Sequence, residues 1–174
     1  MMPKTPLFIV TGASCVGKTS VIPYVRSLLS EFDVFDMDLE GALNPEQTIE
    51  HWLKVAHQIS LSDRGTLLFG TITPEIVQRS EVKNRFSHIY YINLHCDDEV
   101  RAKRLREKGA EEGHIQKHAL LANWFIQNAD SAFTPAISTI DTSLHSPEEC
   151  AKYIRKWVLK YWSSRYPLEI RANG

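Results

Sequence analysis

Residues Gly12-Ala13-Ser14-Cys15-Val16-Gly17-Lys18-Thr19 satisfy the pattern G-x-x-x-x-G-K-S/T in full. That spacing suits the capture of a polyphosphate. Glycines let backbone N–H groups close around phosphate oxygens, and a helix beginning at the last residues adds its partial positive charge. Lys18 is expected to reach the β- and γ-phosphates from a solvent-facing position, and the Thr19 hydroxyl to sit on Mg²⁺. Ser20 extends the same phosphate-binding set. A second group of chemical interest is Phe35-Asp36-Met37-Asp38, where two acids close an apolar run. A third is the basic series Arg101, Lys103, Arg104, Arg106 and Lys108, followed by Gly109-Ala110-Glu111-Glu112-Gly113.

The elements that position these groups follow from the hydrophobic pattern. Leu7-Phe8-Ile9-Val10 is a branched apolar run and predicts a buried strand leading into the loop. Val21-Ile22, Val25 and Leu28-Leu29 predict the helix after it, with Pro23 expected to kink that helix without breaking it. Further strands are predicted at Asp33–Asp38, Leu67–Phe69, His88–Leu94 and Ile137–Ile140. Helix starts are signalled by Asn44-Pro45-Glu46-Gln47, Thr73-Pro74-Glu75, Asp97-Asp98-Glu99 and Ser146-Pro147-Glu148-Glu149. Gly109 is expected to stop the charged helix, and Glu111–Asp130 reads as another helix. Strands alternating with helices predict an α/β domain, a parallel sheet covered on both faces. Residues 163–174 are not assigned to any element.

Size and charge narrow the function further. A chain of 174 residues with 43% hydrophobic and 24% charged residues is one globular domain. A net charge of −1 argues against a nucleic-acid surface, which carries a basic stripe. No apolar run approaches a membrane span. The first residues lead directly into a strand with no leader pattern, so a cytoplasmic protein is expected. Cys15, Cys96 and Cys150 are scattered and odd in number, which suggests neither a disulfide framework nor a metal cluster. His114 and His118 stand four apart on the Glu111–Asp130 helix, and with no matching third ligand they read as part of a solvated face.

In the order of these features the chain resembles the P-loop kinase family that includes nucleoside-monophosphate, shikimate and gluconate kinases. Gly70-Thr71-Ile72-Thr73-Pro74-Glu75, Cys96-Asp97-Asp98-Glu99-Val100-Arg101 and Arg104-Leu105-Arg106 are similar, in closer detail, to a group of bacterial nucleotide-kinase-like P-loop proteins. The resemblance implies a three-layer fold with five parallel strands in the order 2-3-1-4-5. It implies a small lid near residues 101–118 and phosphoryl transfer from ATP with Mg²⁺ to a small-molecule acceptor. By the same likeness Asp36 belongs to the metal shell with Thr19, while Asp38 binds the acceptor and takes its proton. Arg101 and Arg104, three apart and able to share a helix face, become the lid cations. Thr142 and Ser143 border the adenine ring, and Gly70 lies on the acceptor side. Trp52 and Trp124, with His51, Phe125 and Asn128, are candidates for the acceptor wall. No acid follows the third strand, which ends Leu67-Leu68-Phe69-Gly70. A nucleoside or nucleotide acceptor is slightly favoured over a sugar acid or other alcohol, and a non-catalytic nucleotide-binding module is the competing class. The oligomeric state is left open.

Overall fold

The computed structural model describes residues 4–37 and 42–163. Strand β1 spans Leu7–Thr11, β2 Phe32–Asp36, β3 Gly65–Phe69, β4 Ile89–His95 and β5 Ser138–Asp141. They form one parallel sheet in the order β2-β3-β1-β4-β5. Every residue of β1 and β3 is buried, as expected where both sheet faces are covered.

Alternation along β1 divides the core. Phe8 and Val10 face helix α1 (Lys18–Leu28) and helix α6 (Pro147–Trp162), packing with Val21, Val25, Ile154 and Val158. Leu7 and Ile9 face helix α2 (Pro45–Ser60) and helix α3 (Pro74–Gln78), packing with Ile49, Leu53 and Val77. On that second face, helix α5 (Glu112–Gln127) sets Phe125 against Phe133 and Ile137, with Tyr91 of β4 bridging the two clusters. Helix α4 (Asp98–Glu107) joins β4 to α5.

Local chemistry explains the element ends. The Asn44 side chain accepts from the Gln47 N–H, and Ser146 Oγ accepts from the Glu149 N–H at 3.2 Å. Helix α1 runs without interruption across Pro23. The expected Asp97 cap takes another form, since its side chain makes no capping bond and its N–H donates to Ser143 Oγ instead. Strand β2 ends at Asp36, two residues before its predicted end, and Asp38 lies outside the described residues. The unassigned stretch from Ser163 onward likewise lies almost wholly outside them. No helix among the described residues is long and apolar enough to cross a membrane.

Candidate active site

Strand β1 delivers the loop to the C-terminal edge of the sheet, where open α/β sheets bind ligands. Gly12 stands at φ +149°, and a Cβ there would lie 2.4 Å from the Leu94 carbonyl oxygen, so only glycine fits. Cys15 holds a left-handed backbone at φ 63°. Helix α1 begins at Lys18, which aims its N-terminus at the loop cavity. A cleft of about 240 Å³ opens there, lined by Ser14, Cys15, Gly17, Lys18, Thr19, Ser20, Asp36, Gly70, Thr71 and Lys108. The structure therefore brings together the phosphate loop, the acid at the end of β2 and the glycine after β3.

Lys18 does not project freely into solvent. Its ammonium donates to the carbonyls of Gly12 (2.8 Å) and Ala13 (2.7 Å) and to Thr71 Oγ1 (3.0 Å). The reason is electrostatic, because the two loop carbonyls and the Thr71 hydroxyl offer the cation charge-assisted acceptors within reach. Thr71 in turn is fixed by its neighbour Ile72, whose backbone exchanges two hydrogen bonds with the buried Thr11 hydroxyl.

The remaining loop residues are held from distant elements. The Arg104 guanidinium donates to the Cys15 carbonyl at 3.0 Å. Thr142 Oγ1 donates to the Val16 carbonyl at 2.6 Å, and the Thr142 N–H donates to the His95 carbonyl. Ser14 N–H donates to His118 Nδ1 at 3.0 Å, with His118 only 5% exposed. The expected solvated face for His118 is thus corrected. Helix α5 turns this position inward over the loop, and the His114 ring packs edge-on against it.

Arg101 departs from its expected place beside Arg104. It is 1% exposed, donates to the Cys96 carbonyl and pairs with Asp98, so it ties the start of α4 to the end of β4. Its place in the first turn of α4, against the Cys96 carbonyl and Asp98, holds its guanidinium there, and Arg104, one turn further on, is the one that reaches the Cys15 carbonyl of the loop. Arg106 forms an exposed pair with Glu112 across the turn, and its hydrogen bond holds the Glu112 carboxyl below the usual range. The segment expected to form a lid is a helical hairpin, its turn closed by Gly109, whose N–H donates to the Arg106 carbonyl.

The aromatic candidates for the acceptor wall do not line the cleft. Trp124 packs on Phe125 and Phe133, and Trp52 on Phe35, because each ring finds apolar neighbours on its own side of the sheet. Phe125 is fully buried, and Asn128 donates its side-chain amide to the Trp124 carbonyl at the end of α5. Ser143 serves the chain's return from β5, its Oγ accepting from Asp97 and its N–H donating to Asp141.

Three site residues escaped the sequence reading. Lys108 stood in the basic series but carried no assigned role. Thr71 stands out in the sequence only within a stretch that resembles other proteins, and His118 reads there as part of a solvated face.

The residues present fit Mg²⁺. Thr19 and Asp36 place a hydroxyl and a carboxylate on the same cleft, both hard oxygen donors. Among the described residues no cluster of three or more His, Cys, Asp or Glu side chains forms a cage for a metal. Such a sparse donor set suits an ion that completes its shell with phosphate oxygens and water.

No protein-family model matches the sequence, and neither does any curated protein. Solved structures match over nearly the full chain. A sugar kinase from Janibacter sp. HTCC2649 shares 14% identity over 95% of this chain and 99% of its own, with a TM-score of 0.64. The tunicamycin resistance protein of Deinococcus radiodurans shares 18% identity over 89% and 96%, also with a TM-score of 0.64. Shikimate kinase from Acinetobacter baumannii shares 21% over 92% and 94%, with a TM-score of 0.51. The chain has the P-loop kinase fold.

Proposed function

We propose that this protein is a small-molecule kinase, transferring the γ-phosphoryl group of Mg-ATP to a small acceptor. The carrying observation is the convergence of Lys18 and Thr19 with Asp36, Thr71 and Lys108 on one cleft. Phosphoryl transfer is catalysed by positioning and by charge stabilisation, and this cleft supplies both kinds of group. The loop N–H groups and Lys18 hold the β- and γ-phosphates. Thr19 and Asp36 hold Mg²⁺, which when bound neutralises phosphate charge. Lys108 and Arg104 approach from the hairpin side, where charge on the transferring group needs cations.

The acceptor enters beside Gly70 and Thr71, opposite the hairpin. Asp38, two residues beyond β2, takes the role of acceptor ligand and general base in this reading. Nucleosides and nucleotides, sugar acids and other small alcohols are the acceptor classes to try first. The test is ADP release from Mg-ATP alone and with a panel of such acceptors. Release should rise strongly with one acceptor class and stay near background without it. Slow release indifferent to every acceptor would identify a nucleotide-binding module instead.

A further inference from the structure

The Ala13–Ser14 peptide is held at both ends. Its carbonyl oxygen accepts from the Lys18 ammonium at 2.7 Å, and its N–H donates to His118 Nδ1 at 3.0 Å. In a trans peptide these two groups point in opposite directions. Fixing the N–H on helix α5 therefore aims the carbonyl at Lys18. A peptide rotated the other way would turn its N–H toward the ammonium and remove one of the acceptors that hold it. The acceptor on the far side must be a bare nitrogen, so the imidazole carries its proton on Nε2. Burial to 5% exposure shields the bond from competing water.

We infer that His118 is a positioning residue for phosphate binding, acting through the Ala13–Ser14 peptide on Lys18. It touches neither nucleotide nor acceptor in this role. It sets the orientation of one loop peptide and thereby where the cation waits for the β- and γ-phosphates. The inference rests on the reading of the loop as a triphosphate site. It adds that α5, reached through the hairpin that carries Arg104 and Lys108, contributes to the loop's readiness. Preorganised donors and cations act without reorganising when the ligand arrives, which is why such a distant hold affects affinity.

Two variants separate the hydrogen bond from the packing. His118→Asn keeps an acceptor at the same number of bonds from the backbone, since Asn Oδ1 and His Nδ1 are both carried on Cγ. His118→Phe keeps a buried ring and has no acceptor. Mg-ATP affinity by calorimetry should weaken about tenfold in His118→Phe, the scale of one buried hydrogen bond, and stay within about threefold of the parent in His118→Asn. Exchange of the Ser14 amide, followed by NMR without nucleotide, should be slow in the parent and in His118→Asn and fast in His118→Phe. Thermal melts of both variants establish that each is folded.

Equal affinity in the parent and His118→Phe overturns the inference. So does loss in His118→Asn with retention in His118→Phe, which would assign the position to packing. A parent that binds no Mg-ATP overturns the functional reading and the inference together, whereas the first two results leave the functional reading standing.

Discussion

The phosphate loop and the α4–α5 hairpin face each other across one cleft, and they are built in opposite ways. The loop is held residue by residue. Gly12 and Ala13 are bound to Lys18, Ser14 to His118, Cys15 to Arg104 and Val16 to Thr142. The hairpin turn is held lightly. Its ion pair, Arg106 with Glu112, is more than half exposed on both sides, and a Cβ at Gly109 would meet nothing within 4 Å. A site that must present fixed donors to phosphate puts them on the braced element. In the proposed reading the lightly held turn is the part that admits and releases ligands, and such segments come from the low-stability end of a fold.

The contrast can be broken at four points, which differ in size. Lys18→Ala removes the cation that braces the loop and, in the proposed reading, meets phosphate, so calorimetry should find Mg-ATP binding lost. The apolar core is untouched, and the thermal midpoint should stay near that of the parent. Retained tight binding would end the phosphate-loop reading.

Arg104→Ala comes next. With a candidate acceptor in hand, transfer should fall by about 10²–10³-fold, as for other groups aimed at developing charge. ATP affinity should change much less, and an equal loss in both would make Arg104 a brace of the loop alone.

Arg101→Ala supplies the structural counterpart on the same helix. It removes a buried, charge-assisted pair of bonds, so denaturant melts should show a loss of about 1.5–3 kcal/mol. Its steady-state constants, once the protein is folded, should follow the parent. The smallest effect belongs to Gly109→Ala. Space is open there, so only the backbone at φ +82° resists, at about 1 kcal/mol or a midpoint lower by about 2–4 °C. A neutral outcome would show that the turn relaxes out of the left-handed region.

The same contrast explains what could be read from the sequence. The loop motif, the five strands and the caps at Asn44 and Ser146 are short-range patterns, and short-range patterns survive in one dimension. Sheet order followed from the resemblance to P-loop kinases, not from the spacing itself. The lid arginines were placed on one face by periodicity alone. Periodicity does not register that α4 starts against β4, where a side chain at 101 is drawn under the helix toward the Cys96 carbonyl. His118 was harder still. Its role depends on α5 crossing the loop 104 residues downstream of Ser14, and a histidine on a partly polar helix looks the same wherever that helix lands. Trp52 and Trp124 lie half-buried against Phe35 and Phe133, away from the loop cleft, since large rings pack on the nearest apolar cluster.

The braces of the loop also order events in the life of the chain. The loop occupies residues 12–19, near the beginning of synthesis, but its holding groups come from far behind. Thr71 follows Lys18 by 53 residues, Arg104 follows Cys15 by 89, His118 follows Ser14 by 104 and Thr142 follows Val16 by 126. A growing chain that has emitted only its first three strands carries the complete motif and almost none of its supports. If the loop binds nucleotide as proposed, mass action has little to act on in a half-made domain, because the held conformation that the nucleotide would select depends on residues made later. In the proposed reading its stabilising effect begins only after β5 has joined the sheet edge and Thr142 has reached the Val16 carbonyl, with α6 still to follow and pack on Phe8 and Val10.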